Sequence, residues 1–236
     1  MSTTALCCGN VDRAARPRGD RAQWHELPER PGRAEVDPLL AEASGRVVVH
    51  GTDADLAAVV LRMLRKERLG DLAVGYVPVA DSPVARLWGL EAGDFSRALD
   101  GEPRPTPLLR DDAGGILLGE GRIEPITGQA YCDDQQVLHG PALSLVASPD
   151  PDAAPLPESS AHPLSTNLDV SFDGLRVTTT RRSFLRKRTE TARGRALQLA
   201  FDETTITRDG VPHPRPAQKW VWYRHTEDLH LARPAT

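Results

Sequence analysis

Apolar and polar positions follow two different periods along this chain, and the change between them falls near residue 108. Val47, Val48 and Val49 form an unbroken β-branched run, the pattern of a strand buried on both faces, and Gly51 breaks it where the chain must turn. Leu56, Val59, Val60, Met63 and Leu64 then recur at spacings of three and four, which predicts an amphipathic helix whose far end carries Arg62, Arg65, Lys66 and Arg68. Asp53 and Asp55 stand where they can cap its start. Residues 72–79 (LAVGYVPV) predict a second buried strand, so strand, helix and strand make one right-handed parallel crossover. Ser82 or Asp81 before Pro83, an apolar face of Val84, Leu87 and Trp88, and Gly89 predict a short helix, and residues 94–99 another that ends at Gly101. Two such helix starts converge at the C-terminal edge of one sheet, the usual place of a ligand crevice in open α/β folds.

From residue 108 onward no long amphipathic helix is predicted. Short apolar runs at 116–118 and 142–147 are separated by Gly, Pro and Asp clusters. Leu168, Val170 and Phe172 alternate up to Asp173-Gly174, and Leu175, Val177 and Thr179 continue beyond, a hairpin pattern. Leu197, Leu199 and Phe201 repeat the alternation, Asp209-Gly210 marks a second tight turn, and two further strands close the chain, with Trp220 and Trp222 on one face. The expected architecture is a Rossmann-like parallel α/β domain at 45–107 followed by an antiparallel β-sandwich domain at 108–236. Residues 1–44, rich in Pro, Arg and acids, are expected to be a flexible segment, with one short helix around 38–43.

A net charge of −4 argues against a dedicated nucleic-acid binder. No apolar run approaches the roughly 20 residues that span a bilayer, and the N-terminus lacks a secretory core, so the cytoplasm is the expected location. Cys7, Cys8 and Cys132 draw no disulfide framework or zinc spacing, and the histidines repeat no metal-ligand spacing, so no metal is assigned to protein ligands. The Ala, Arg, Gly and Pro bias suits a GC-rich bacterial genome. Arg181, Arg182, Arg186, Lys187, Arg188, Arg193 and Arg195, with Glu190 as the single acid among them, form the strongest local charge feature. Such a run is usually a solvated hairpin; if functional, it would attract anionic headgroups.

Three stretches carry a resemblance. Gly51-Thr52-Asp53-Ala54-Asp55-Leu56 follows the first buried strand, Pro78-Val79-Ala80-Asp81-Ser82-Pro83-Val84-Ala85-Arg86 ends the second, and Asp209-Gly210-Val211 lies near the end of the β half. In order and spacing this resembles the diacylglycerol kinase and bacterial lipid kinase family, part of the larger group that includes the NAD kinases. That family carries Gly-Gly-Asp-Gly-Thr, then Pro-Leu-Gly-Thr-Gly-Asn-Asp-Phe-Ala-Arg, then Asp-Gly-Glu. Here the frame remains, several loop glycines are replaced, Asp53 matches unchanged, and Val211 stands in place of the Glu.

The resemblance implies transfer of a phosphoryl group from ATP, with Mg²⁺, to a hydroxyl of a lipid or other small acceptor. Gly51, Thr52, Asp53, Ala54, Asp55, Ala80, Asp81 and Ser82 would hold the nucleotide, and Asp53 and Asp209 would be catalytic. The implied partners are the nucleotide, an anionic lipid through the seven-cation run, and a second copy of the chain in a homodimer. The departures have a physical meaning. Thr52, Ala54, Ala80 and Ser82 place a Cβ where phosphate oxygens approach the backbone, and Asp55 and Asp81 add carboxylates there. The alternative is a catalytically degenerate homologue, a pseudokinase that keeps the fold as a nucleotide- or anionic-lipid-binding or regulatory module. For residues 51–55 a phosphate cradle and a simple capped helix start stand as equal readings; for 80–83 the capped start is favoured, and Asp209 reads as a tight turn first.

Overall fold

The β-branched run occupies the centre of a six-stranded sheet, with Val47, Val48 and Val49 fully buried. This is a computed structural model; it describes residues 3–235 apart from 13, 15, 18, 20, 157–172, 184 and 185. The chain divides into two units, Met1–Thr106 with Leu229–Thr236, and Pro107–Asp228.

The first unit runs β1 (Thr3–Cys8), β2 (Gln23–Leu27), α1 (Arg33–Glu42), β3 (Gly45–Gly51), α2 (Asp53–Arg65), β4 (Leu72–Pro78), α3 (Pro83–Trp88), α4 (Phe95–Asp100) and β5 (Pro103–Thr106). Its sheet has the order β2-β1-β3-β4, continued by a strand from the chain's far end and then by β5. β1, β2, β3 and β4 pair in parallel, as the strand-helix-strand pattern requires. The apolar stripe of α2 buries Leu56, Val59, Val60 and Met63 completely. At about 1.5–3 kcal/mol for each fully buried side chain of this size, that face supplies most of what holds the helix.

Residues 1–44, expected to be flexible, instead contribute two strands and a helix to this unit. Ala5, Leu6, Cys7 and Cys8 are buried in β1, which pairs with β3 from Thr3↔Arg46 to Cys7↔His50. The burial of Cys8, with Asp55 nearby, pushes its thiol up to about 12. Trp24, on the edge strand β2, packs edge-on against Phe95 at 5.9 Å.

The second unit contains β6 (Leu109–Asp111), β7 (Ile116–Leu117), β8 (Gly121–Ile123), β9 (Ile126–Cys132), β10 (Gln135–Ala142), β11 (Ser144–Pro149), β12 (Leu175–Ser183), β13 (Arg186–Gly194), β14 (Ala196–Thr204), β15 (Ile206–Arg208), β16 (Val211–Pro212) and β17 (Ala217–Arg224). Two six-stranded antiparallel sheets, β10-β9-β14-β17-β6-β7 and β13-β12-β11-β8-β15-β16, share one core that includes Ile123, Leu138, Leu145, Val177, Leu197, Trp220 and Trp222. This is the expected sandwich, with both tryptophans in its core. The strand expected at 168–172 lies outside the described residues. On either side of it the buried Arg224 donates to the carbonyls of Asp173 and Ala154, at 2.9 and 3.0 Å, and pairs with Asp228 at 2.9 Å.

The last strand, β18 (Leu229–Ala232), corrects the expected boundary. It pairs in parallel with β4 at Leu231↔Val74 and antiparallel with β5, so the chain's end belongs to the first unit rather than to the sandwich. Among the described residues no helix is long and apolar enough to cross a membrane.

Candidate functional site

The turn after β3 is built by a capping box. Thr52, in extended conformation at the N-cap, accepts a hydrogen bond on Oγ1 from the Asp55 backbone N–H at 3.3 Å. Asp55 Oδ2 in return accepts from the Thr52 N–H at 2.8 Å and from its hydroxyl at 2.7 Å. The cap is therefore Thr52, not Asp53 or Asp55 as the acid pattern suggested. The other Asp55 oxygen accepts from the Arg30 N–H at 2.6 Å, so this carboxylate, 2% exposed, ties the chain after β2 to the start of α2. Gly51 is required beneath it: a Cβ there would lie 2.7 Å from Asp55 Oδ2. Ala54 occupies the second helical position of α2.

Asp53 points the other way, toward the second loop. Its Oδ1 accepts from the Tyr76 hydroxyl at 2.8 Å and the Ser82 hydroxyl at 2.7 Å, and its Oδ2 from the Val84 N–H at 3.0 Å. Ser82 is the N-cap of α3 and also accepts from the Ala85 N–H at 3.1 Å. The Val79 N–H donates to the Gly51 carbonyl at 3.1 Å. One carboxylate, 6% exposed, thus joins both helix starts at the C-terminal edge of the sheet, where the sequence placed them. Burial, and then the negative charge of Asp53 beside it, push the Tyr76 hydroxyl well above its ordinary value, so it stays a donor. Ala80 and Asp81 face solvent, and Asp81 pairs with Arg86 at 2.6 Å.

His50 was not singled out from the sequence, yet it is 4% exposed immediately before Gly51, with its ring edge-on to Phe95 at 4.9 Å. Burial, and then Arg16, lower its pKa, which keeps the ring neutral near pH 7. Its only sequence signal is its place at the end of the valine run.

Asp209 lies in the second unit, in the β15–β16 turn, where Asp209 and Gly210 both take left-handed φ values of 44° and 80°. Its carboxylate fills a nest of three consecutive backbone donors: Leu118 N–H at 2.9 Å on Oδ2, and Gly119 and Glu120 N–H at 2.8 and 3.1 Å on Oδ1. It is 3% exposed. Arg208 beside it forms an ion pair with the buried Asp111 at 2.5 Å, and Asp111 also accepts from the Gly115 N–H at 2.8 Å. The guanidinium sits 5.7 Å from the Trp220 ring centroid. Sequence reading missed this pair, because its members are far apart in the chain and neither belongs to a motif.

The loop residues do not fit a magnesium-bound triphosphate. Both oxygens of Asp53 and of Asp55 already accept protein hydrogen bonds, and the Thr52 N–H, one donor a phosphate would want, is used by Asp55. Unit negative charges brought to 4 Å repel by about 1–4 kcal/mol between water-like and surface-like dielectric. Among the described residues no group of three or more His, Cys, Asp or Glu side chains could hold a metal ion.

No protein-family profile and no curated protein sequence matches the chain. Solved structures do. A diacylglycerol kinase from Bacillus anthracis aligns with a TM-score of 0.62 at 10% identity, covering 98% of this chain and 97% of that one. An NAD kinase from Archaeoglobus fulgidus in complex with ATP aligns with a TM-score of 0.56 at 10% identity, over 99% and 94% of the two chains. Yeast NADH kinase complexed with NADH gives a TM-score of 0.50 at 9% identity, over 100% and 84%. With its α/β unit, its sandwich and its final strand returned to the first sheet, the chain has the kinase-like fold shared by bacterial diacylglycerol kinases and NAD kinases.

Proposed function

We propose that this protein is a catalytically degenerate homologue of the lipid and NAD kinases, one that keeps their fold as a binding or regulatory module. The observation that carries the reading is the state of Asp53, the first-loop carboxylate that matches the lipid kinase pattern unchanged. Its two oxygens are committed to Tyr76, Ser82 and Val84. A carboxylate that serves a metal or a substrate hydroxyl needs lone pairs to offer, and withdrawing it from buried donors costs about 1–3 kcal/mol for each donor left unpaired. Asp209 supports the same reading, since its carboxylate organises residues 118–120.

The rival reading is ATP-dependent phosphoryl transfer to a lipid or small-molecule hydroxyl, with Mg²⁺. It is favoured by one feature, the convergence of two helix starts on Asp53, the arrangement in which such loops act together. Calorimetric titration with ATP and Mg²⁺ separates the two. The expected result is no heat and no shift in unfolding temperature at millimolar ATP. Magnesium-dependent binding tighter than about 1 mM, equivalent to about −4 kcal/mol, together with transfer of labelled γ-phosphate from ATP to a lipid extract would overturn the degenerate reading.

A further inference from the structure

The seven-cation run lies on the β12–β13 hairpin, and its members have different surroundings. At the root, Arg193 is held by Asp150 at 2.8 Å and Asp152 at 2.7 Å, acids that also bind Arg176. Arg195 lies beyond the hairpin, where its backbone N–H donates to Asp133 at 2.9 Å. In the middle, Arg181 and Arg188 share Glu190, at 3.7 and 2.9 Å. At the tip, among the described residues, no carboxylate lies within 4.0 Å of Arg182, Arg186 or Lys187.

The register makes this tip costly for the isolated protein. Arg181 stands directly opposite Arg188, and Arg182 opposite Lys187, with Arg186 one position further out. Like charges directly opposite on paired strands repel, and here five cations meet one carboxylate. The tip also stands clear of the core: all six residues from Arg186 to Thr191 on the edge strand β13 are exposed, whereas Ala192 and Gly194 are buried. Repulsion of this kind is relieved when a polyanionic surface supplies the missing countercharge.

We infer that the β12–β13 tip, through Arg182, Arg186 and Lys187, is a docking element for an anionic membrane surface. Three unpaired cations at the end of a narrow two-stranded projection match a flat sheet of headgroups, whereas a nucleic-acid duplex calls for a basic stripe or groove, and the chain as a whole carries a charge of −4. The inference is independent of whether the protein transfers phosphate.

Sedimentation with phosphatidylcholine vesicles, with and without phosphatidylserine, tests it on the full chain. Binding is expected only to the anionic vesicles, weakening as salt rises. The triple substitution Arg182→Gln, Arg186→Gln, Lys187→Gln should lower the partition coefficient on the order of 100-fold. A control, Arg65→Gln, Lys66→Gln, Lys219→Gln, removes three exposed cations elsewhere and should lower it less than tenfold. Because the triple substitution relieves repulsion, its unfolding temperature should be unchanged or higher, which separates lost docking from lost folding. Equal recovery with neutral and anionic vesicles overturns the inference, as does equal loss in the triple and control variants. Tighter binding to a single-stranded oligonucleotide than to the anionic vesicles overturns it in favour of nucleic acid.

Discussion

Asp53 and Asp209 are buried to nearly the same degree, 6% and 3% exposed, and each accepts hydrogen bonds on both oxygens, yet the donors differ in kind. Two of the three donors to Asp53 are hydroxyls, on Tyr76 and Ser82, that can rotate. Ser82 is already engaged with the Ala85 N–H, and the Tyr76 hydroxyl lies 3.3 Å from the Gly51 carbonyl, a ready second acceptor. Asp209 is held by the backbone N–H groups of three consecutive residues, Leu118, Gly119 and Glu120, which are fixed by the chain and unable to turn elsewhere. Withdrawing a carboxylate held partly by hydroxyls strands fewer donors than withdrawing one that fills a backbone nest. In the family resembled here the first position belongs to a phosphate loop and the second to a turn; in this chain the first has become a bolt between two loops and the second a rivet within the sandwich.

The largest effect is expected at the rivet. Asp209→Ala removes the carboxylate to which the N–H groups of Leu118, Gly119 and Glu120 donate and puts alanine at φ 44°, a conformation that Asp tolerates better. With partial rescue by water, the loss should be about 3–5 kcal/mol. Asp53→Ala strands the Val84 N–H and takes the acceptor from the Ser82 O–H, which is half-buried and can turn to water, while the Tyr76 hydroxyl keeps the Gly51 carbonyl; the cost should be about 1.5–3 kcal/mol. Urea unfolding followed by tryptophan fluorescence reads both, since Trp220 and Trp222 report on the sandwich and Trp24 and Trp88 on the α/β unit. If Asp53→Ala costs as much as Asp209→Ala, or if the transition it moves is that of the sandwich, the distinction between the two sites is lost.

How much of this could be read in advance depends on the range of the interactions. The β3–α2–β4 passage was legible because its signals are local: three consecutive valines, a 3.6-residue stripe and a breaking glycine. The same holds for α3, framed by Ser82-Pro83 and Gly89, and for the Asp209-Gly210 turn. β1 and β2 were not legible. β1 is a six-residue run at the chain's start, and β2 (QWHEL) has no apolar period because it is an edge strand, stabilised by parallel pairing that no short window contains. β18 alternates like any hairpin strand, and nothing local says that Leu231 pairs with Val74.

At the site, Thr52-x-x-Asp55 did carry the spacing of a capping box, but the two acids drew the reading toward themselves. The partners of Asp209 are backbone groups, which have no sequence signature. Tyr76 read as one more apolar residue of a buried strand, although its hydroxyl makes the bond that holds Asp53 in place.

That bond offers the smallest and sharpest of the tests. Tyr76→Phe removes one hydroxyl and leaves Asp53 with Ser82 and Val84, so the expected cost is about 1 kcal/mol, provided the ring stays packed. The same group gives a signature in pH. Its folded pKa is raised above the unfolded value, so above about pH 10, the ordinary tyrosine pKa, the unfolded state binds fewer protons than the native state and stability falls as pH increases. Tyr76 is 2% exposed and its hydroxyl is held against Asp53. Ultraviolet titration of the native protein should therefore find it silent through the range where ordinary tyrosines ionise, and it should appear only with unfolding. The Tyr76→Phe variant should lose that late step and the part of the alkaline destabilisation linked to it. A Tyr76 that ionises near pH 10 in the folded protein would mean that its hydroxyl is open to water, and that Asp53 is free to meet a ligand.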